Sequence, residues 1–346
     1  MKKRSIKVSI GIPVYKAEKY IERCLNSILN QNFESYEVIL VDDCGGDNSI
    51  KIAQEIIQAS NRGDKIRILH HERNLGVANA RNTIIHEARG KYLYLMDADD
   101  AITKETISIL YNKAILLHAE YVLGSYLKIF EESHTNKEVK YPDMILNGED
   151  KLVLYECQND EWNIQPAIWN ILYDMDFLRS TGLRFEQHGS LDDLIFQFKL
   201  QPLVKSAIIT SNITYHYYIH ANSLSNFHVR TSYSHLEAVH SIEAAECLKE
   251  SCRQYNHKPY FDCRCTKVMR HCFFHSYGII KHRNMMDKPI SNKEIRKLMK
   301  HPYTLLQILT FKRYLLDNLF YYLLGIMPAF LMIATIKAIA RIRGYK

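Results

Sequence analysis

The chain has 346 residues, of which 47% are hydrophobic and 24% are charged. This length and composition predict a folded protein with two lobes, or with one large domain that carries an extension. Lysine and arginine outnumber aspartate and glutamate by 45 to 38, a modest positive balance that suits polyphosphate ligands or an anionic membrane surface. The sequence contains no helix-turn-helix pattern, zinc finger or RNA-binding signature, which argues against a nucleic-acid-binding protein.

The first hundred residues alternate strand and helix patterns. Helices are predicted where apolar residues recur at three-and-four spacing, as at Ile21, Leu25 and Ile28. Asp47 is positioned to cap the second of these helices. Because the strands are apolar runs flanked by helices, the pattern predicts a parallel sheet covered on both faces. The four predicted strands are Lys7–Val14, Tyr36–Val41, Lys65–Leu69 and Tyr92–Met96, and the third predicted helix is Val77–Ala88.

The remainder of the chain changes character twice. Residues Glu131–Lys140 are densely polar and predict an exposed excursion, and Trp162–Ser225 mixes aromatic with acidic residues. From Tyr233 onward the pattern is helical. The helices predicted there are His235–Tyr255, Tyr260–His282 and Ser291–Lys300.

Near the C-terminus, Leu319–Ile336 is an eighteen-residue stretch without a charge, interrupted by Pro328. Its length is at the lower limit for crossing a bilayer. The basic flanks favour a segment that lies on an anionic membrane surface; a helix buried against the protein and a true membrane span are the alternatives. The flanking bases are Lys312, Arg313, Lys337, Arg341, Arg343 and Lys346.

Eight cysteines occur in a chain whose N-terminal residues lack the pattern of a secretory signal, and we predict reduced thiols in a cytosolic protein. One group with two histidines resembles a metal site. It lacks the paired CxxC spacing of structural zinc sites and falls in a helical pattern, which favours ordinary core and surface residues. The group is Cys263, Cys265, Cys272, His271 and His275.

Polar residues follow three of the predicted strands, at Pro13-Val14-Tyr15, Asp42-Asp43 and Asp97-Ala98-Asp99-Asp100. In an open parallel sheet these strand ends meet at one edge. Several carboxylates at one edge repel each other unless a cation lies among them, and hard oxygen ligands suit Mn²⁺ or Mg²⁺. The first turn lacks the glycine-rich pattern of dinucleotide-binding folds, so the metal is expected to take over phosphate binding.

With these motifs the sequence resembles family 2 of the inverting glycosyltransferases, the type used in bacterial polysaccharide assembly. The resemblance covers roughly residues 6–225 and implies the GT-A fold: a Rossmann-like, mostly parallel sheet flanked by helices, here with a helical C-terminal extension. It implies a donor-binding half at residues 1–110 and an acceptor-side half at 111–228. The helical pattern and the uncharged stretch described above predict a helical region at 229–346 with a membrane-associating segment at about 314–346. The matching blocks are Val8–Tyr15, Tyr20–Gln31, Glu37–Asp43 with Asp47–Ser49, Asn74–Asn82, and Tyr92–Asp100.

The same resemblance implies residue roles. Tyr15 would lie against the nucleotide base in a turn shaped by Pro13, and Asp43 would accept a hydrogen bond from a pyrimidine ring nitrogen. The remaining implied donor-site residues are Glu18, Arg81 and Asp97, and the implied metal ligands are Asp99, Asp100 and, more distantly, His216 and His220. The metal would stabilise the charge of the leaving nucleoside diphosphate.

A second block resembles the acceptor side of the family, from Trp169-Asn170 to the acidic pair Asp192-Asp193. The general base of the family comes from this acidic pair, and Asp193 is the residue implied here, with Asp192 beside it. The alternative is a purely structural role, as a helix cap with an acid in the first turn. One residue can both stabilise a helix start and act as a base. The segment Tyr217–Ser225 resembles a following motif near the diphosphate.

The sequence therefore predicts a metal-dependent transferase that moves a sugar from a nucleotide sugar, with UDP-sugars favoured, to a hydroxyl of a glycan or lipid-linked acceptor. The expected location is the inner face of the cell membrane, with contact through the C-terminal segment. Two alternatives stay open: a non-catalytic membrane-associated scaffold that retains a nucleotide site, and a phosphatase-like hydrolase, whose DxD motif normally follows the first strand.

Overall fold

The structure is a computed structural model that describes residues 6–158, 164–220 and 234–342. Ten strands belong to one sheet. They are β1 (Val8–Val14), β2 (Tyr36–Asp42), β3 (Ile66–His70), β4 (Tyr92–Leu95), β5 (Ala101–Ile102), β6 (Tyr121–Phe130), β7 (Thr135–Val139), β8 (Met144–Asn147), β9 (Ile171–Asp174) and β10 (Ser206–Ile219).

The α-helices are of two groups. Those interspersed with the strands are α1 (Ile21–Leu29), α2 (Ser49–Ala59), α3 (Val77–Glu87), α4 (Thr106–Leu117), α5 (Lys151–Glu156), α6 (Met175–Ser180) and α7 (Asp192–Leu200). Those that follow the strands are α8 (His235–Gln254), α9 (Phe261–His282), α10 (Asn292–Met299), α11 (Leu305–Ile308), α12 (Leu315–Ile326) and α13 (Ala329–Ile342).

The four strands predicted from the sequence form one parallel half of the sheet, in the order β3-β2-β1-β4. Every residue of β4 and six of the seven in β2 are buried, as expected for strands covered on both faces. Helix α1 buries the predicted stripe, including Ile21, Leu25 and Ile28. The alternation of strand and helix therefore places β1, β2 and β4 with their carboxyl ends at a common edge.

The other half of the sheet is mixed. Strand β9 lies antiparallel between β4 and β6, and β10 runs parallel to β6. Asn170, at the start of β9, has a left-handed backbone and its buried amide donates to the carbonyls of Gly124 and Ser125. The polar excursion predicted at Glu131–Lys140 contains the exposed strand β7, which pairs with the end of β6.

The chain divides into two compact units. The first contains the sheet with α1–α4 and α6, and the second contains α8–α13 with most of α5 and α7. The second unit has its own core, to which Leu248, Met269 and Leu298 contribute from α8, α9 and α10. The domain boundaries implied by the resemblance stay a prediction.

Two local expectations need correction. Asp47 lies one residue before the N-cap of α2, which is Asn48, and its carboxylate accepts from the backbone and hydroxyl of Ser49. The cysteines are not all thiols, because Cys157 and Cys263 form a disulfide within the second unit. The chain positions are 106 residues apart, so sequence spacing gave no signal for this pair. The metal-like group around Cys272 lies on α9 in a largely buried stretch.

The uncharged C-terminal stretch is not one helix. It is divided between α12 and α13, with the break at Met327 and Pro328, because proline lacks the amide hydrogen that a continuous helix needs. Within the described ranges, none of the helices has the length and hydropathy required to cross a bilayer.

Candidate active site

The DxD loop, residues Asp97-Ala98-Asp99-Asp100, follows the buried strand β4. One carboxylate oxygen from each aspartate lies within 4.8 Å of the others. Asp97 and Asp99 are partly exposed, with about a third of each side chain accessible, whereas Asp100 is fully buried. The three acids of this loop therefore lie close enough together to share one cation.

Asp100 ties the DxD loop to β10. Its two carboxylate oxygens accept hydrogen bonds from the hydroxyl of Tyr215, at 2.6 Å, and from the backbone amide of Tyr218, at 2.8 Å. Burial raises the pKa of Asp100 well above its usual value, and the charges of Asp99 and Asp97 raise it further. Asp100 therefore positions the loop, and its predicted role as a metal ligand stays a prediction.

Asp99 is held at both its backbone and its side chain. Its carboxylate lies 3.1 Å from Nε2 of His220, and its carbonyl accepts from the guanidinium of Arg23 at 2.7 Å. The His220 ring stacks on Tyr20 with a centroid separation of 4.6 Å. His220, predicted near the metal, thus lies at the DxD loop.

Arg23 organises this corner of the site. Its guanidinium lies 3.4 Å from the centroid of the Tyr218 ring and forms an ion pair with Glu131 at 2.7 Å. These contacts fix the end of β10 and the start of α1 around the Asp99 carbonyl. Sequence reasoning missed Arg23, although it lies on the first turn of the helix after β1, close to the edge where the strand-end acids converge.

Asp43 follows β2 and is almost completely buried. It accepts hydrogen bonds from the backbone amides of Leu75 and Gly76, at 2.8 and 2.9 Å, and lies 2.7 Å from Nδ1 of His71. Gly76 has φ +86°, a conformation that favours glycine. Asp43 thereby fixes the loop that enters α3.

His71 is a second residue that sequence reasoning missed. It comes directly after β3, and its Nε2 lies 3.0 Å from the hydroxyl of Thr83 on α3. The signal that could have found it is its position at the end of the third predicted strand, the one strand end from which no candidate residue was taken.

The other residues predicted for a donor site lie at the same edge of the sheet. Arg81 is buried and lies 3.2 Å from the carboxylate of Asp97. Tyr15 follows β1 with 48% of its surface exposed. Pro13 is half-buried in β1 opposite Val41 of β2.

Glu18 joins the loops after β1 and β2, because its carboxylate accepts from the amide of Asn48 at 3.0 Å. The strand order β2-β1-β4 separates the ends of β2 and β4 by two strand spacings, about 10 Å. Asp43 and the DxD loop therefore border one edge of the sheet, as predicted, with Tyr15 between them.

His216 lies within β10, where its backbone pairs with Ala101 of β5 and Leu127 of β6. Neighbouring residues in a strand point to opposite faces, so its ring lies on the other face of the sheet from Tyr215, whose hydroxyl reaches Asp100. Burial lowers the pKa of His216. This position favours a structural role over the metal role implied by the resemblance.

Asp192 and Asp193 open α7 and belong to the second unit. Asp192 is buried and accepts from the backbone amide of His188. Both residues are first-turn acids, which the positive end of the helix dipole stabilises. The proposed catalytic role of the pair stays a prediction. Of the motif at Tyr217–Ser225, residues 221–225 lie outside the described ranges.

The side chains present fit a hard divalent cation. Asp97, Asp99 and Asp100 supply closely spaced carboxylate oxygens, and the raised pKa of Asp100 reflects partly the repulsion that a cation would relieve. Oxygen ligands of this kind suit Mn²⁺ and Mg²⁺. Asp99 is the most favourable ligand, because its carboxylate is partly exposed while its backbone is fixed.

Comparison with known sequences identifies similar proteins. The model for glycosyl transferase family 2 matches residues 9–165. The glycosyltransferase GlyG of Streptococcus pneumoniae serotype 4 is 36% identical over 129 residues, covering 37% of this chain and 42% of that protein. The glycosyltransferase EpsJ of Bacillus subtilis (strain 168) is 38% identical over 192 residues, covering 52% of this chain and 51% of that protein. The chain thus spans about half the length of these curated relatives.

Comparison with solved structures concerns the fold. Residues 1–349 of TarS from S. aureus, in complex with UDP-GlcNAc, match with a TM-score of 0.67 and 16% sequence identity. The match covers 92% of this chain and 90% of that one. It confirms the predicted fold class, including the helical C-terminal part.

Proposed function

Since the model for glycosyl transferase family 2 matches residues 9–165, we propose that the chain transfers a sugar from a nucleotide sugar to an acceptor hydroxyl. The observation that carries this proposal is the row of polar side chains at the carboxyl ends of β2, β1 and β4. Asp43 lies at one end of the row and the DxD loop at the other, with the exposed ring of Tyr15 between them. About 10 Å separates the two ends, which suits a nucleoside diphosphate.

We assign the donor as a UDP-sugar. Tyr15 offers an exposed ring on which a base can stack. We assign to the Asp43 carboxylate, whose oxygens already accept from the Leu75 and Gly76 amides, a further hydrogen bond from a pyrimidine N–H. TarS, which shares the fold, was solved with UDP-GlcNAc, and this supports the same class of donor here. Arg81, beside Asp97, adds a positive charge near the diphosphate.

Asp99, with Asp97 and Asp100, would hold Mn²⁺ or Mg²⁺. When bound, such an ion neutralises the negative charge that grows on the leaving diphosphate. A mannosyltransferase of Pyrobaculum calidifontis with a related fold was solved with GDP-Man and Mn²⁺, which supports a divalent ion. The chain's own contribution is to fix Asp99 through Arg23 and His220 before the donor arrives.

The transfer itself needs a base, and Asp193 is the proposed one. The acceptor hydroxyl passes its proton to the Asp193 carboxylate while its oxygen attacks the anomeric carbon. The bond from that carbon to the diphosphate oxygen breaks, so the sugar is transferred with inversion and the nucleoside diphosphate leaves. We further propose that the acceptor belongs to polysaccharide or glycolipid synthesis and is reached at the inner face of the cell membrane.

The test begins with calorimetric titration of UDP with and without Mn²⁺. We expect metal-dependent binding that Asp99→Asn removes and Asp193→Asn preserves. A nucleotide-sugar panel should then show hydrolysis or transfer that both variants lose while keeping the melting temperature of the wild type. Asp176→Asn is the matched control, because Asp176 is also an acid in the first turn of a helix, α6, and it is exposed.

The outcomes separate the competing functions. Full activity in Asp99→Asn or Asp193→Asn contradicts the corresponding role. Metal-dependent UDP binding without turnover of any nucleotide sugar supports the alternative of a non-catalytic scaffold that retains a nucleotide site. Absence of UDP binding in the wild type contradicts the proposed donor class.

A further inference from the structure

Helix α12 has one packed face and one open face. The packed side contributes Tyr321 and Leu324 to the core of the second unit. The open side continues onto α13 and is apolar. We call its six members the C-terminal apolar face: Leu316, Phe320, Leu323, Ile326, Phe330 and Leu331, which are between 37% and 80% exposed.

The neighbouring helix α11 adds exposed leucines. Leu305, Leu306 and Leu309 are 41%, 78% and 54% exposed. Nine large apolar side chains within 27 residues therefore face away from the core. Proteins rarely leave such clustered apolar surface in water, and a cluster of this kind marks a binding surface.

The charged residues near the C-terminal apolar face indicate the chemical class of its partner. From residue 305 to residue 342 the chain has one acid, Asp317, and it lies 3.8 Å from Arg270. The same range has four bases, Lys312, Arg313, Lys337 and Arg341, and all four are exposed. A helical surface that combines exposed leucine and phenylalanine with lysine and arginine is typical of segments that lie in an anionic membrane interface.

We propose that the C-terminal apolar face docks on the surface of a membrane leaflet containing anionic lipid. The apolar side chains enter the boundary between headgroups and acyl chains, and the exposed bases meet lipid phosphates. The break at Pro328 suits this placement, because two short helices with one packed side each can lie on a surface. Of the three possibilities raised by the sequence, this favours surface association over a buried helix or a span.

A second copy of the chain is a poorer occupant. A symmetric pairing of this face would bring together two segments that each carry four bases and one acid, and an excess of like charges at an interface is unfavourable. A lipid leaflet supplies the opposite charge. A cavity of about 340 Å³ beside the face, lined by Phe273, Phe320 and Tyr321 among others, offers room for part of an acyl chain.

The test is co-sedimentation of the full chain with vesicles of phosphatidylcholine alone or with 30 mol% phosphatidylglycerol. We expect binding to the anionic vesicles that falls with added salt. Leu316→Glu/Ile326→Glu/Phe330→Glu should reduce the partition coefficient at least tenfold. The matched control, Leu116→Glu/Ile145→Glu/Leu236→Glu, adds the same charge at positions of similar exposure elsewhere and should bind nearly as the wild type.

A third variant tests charge alone. Lys312→Gln/Lys337→Gln/Arg341→Gln should lower binding to anionic vesicles on the order of a hundredfold and leave the weak binding to neutral vesicles unchanged. Equal loss in the control triple variant, or no wild-type binding to anionic vesicles, overturns the proposal. So does a wild-type dimer in light scattering that dissociates in Leu316→Glu/Ile326→Glu/Phe330→Glu without any lipid binding. Circular dichroism checks folding, and because no donor is present the outcome is independent of the proposed transfer.

Discussion

Replacing Asp43 by asparagine should damage both the stability of the first unit and its affinity for UDP. The carboxylate is buried and receives three contacts, from the amides of Leu75 and Gly76 and from His71. The two amides approach different oxygens. Asparagine has a single side-chain oxygen, so one of the two partly buried amides must face an NH₂ group.

The magnitude follows from these contacts. A hydrogen bond to a charged group contributes about 1.5–3 kcal/mol, and losing one leaves a partly buried amide without its acceptor. The two remaining contacts weaken to neutral hydrogen bonds, while removing a buried charge recovers part of the cost. We expect a net loss of about 3 kcal/mol, which lowers the melting temperature by about 6–12 °C for a unit of 150–250 residues.

Differential scanning fluorimetry and UDP titration measure the two effects, with Asp42→Asn as the control. Asp42 is adjacent but more exposed, and it accepts from the amide of Cys44 and contacts the exposed His70, so its replacement should cost under about 1 kcal/mol. Equal melting temperatures for the two variants would show that the contacts of Asp43 do not stabilise the first unit. Unchanged UDP affinity in Asp43→Asn would remove Asp43 from the donor site.

Three further outcomes are expected. Lys267→Met leaves the buried Glu156 carboxylate without its cation and should cost about 3–5 kcal/mol in urea unfolding, with partial recovery in Lys267→Met/Glu156→Leu. Burial lowers the pKa of His275 to about 4, so the unfolded state binds protons more readily than the folded state. The free energy of unfolding should therefore fall by about 2–3 kcal/mol from pH 6.5 to pH 4, and by less in His275→Gln. Gly124→Ala would press a methyl group against Thr214 and Asn170 and should lower stability by about 1–3 kcal/mol, visible as a lower melting temperature.

The parallel half of the sheet and the acids at its edge could be predicted from the sequence. Periods of two and 3.6 residues are local properties, so β1, β2, β4 and helix α1 could be predicted nearly to their ends. A polar residue directly after a buried parallel strand has one possible location, the carboxyl edge, and this placed Asp43 and the DxD loop together before any coordinates.

The surroundings of those acids depend on contacts between segments that are distant in the chain. Tyr215 and Tyr218 reach Asp100 from more than 100 residues away, and no local pattern encodes that pairing. The antiparallel insertion of β9 and the disulfide between Cys157 and Cys263 depend likewise on contacts between distant segments. Helical periodicity and apolar composition could not tell which side of α12 packs and which stays open, because both sides carry large apolar residues and only packing against α9 and α10 distinguishes them.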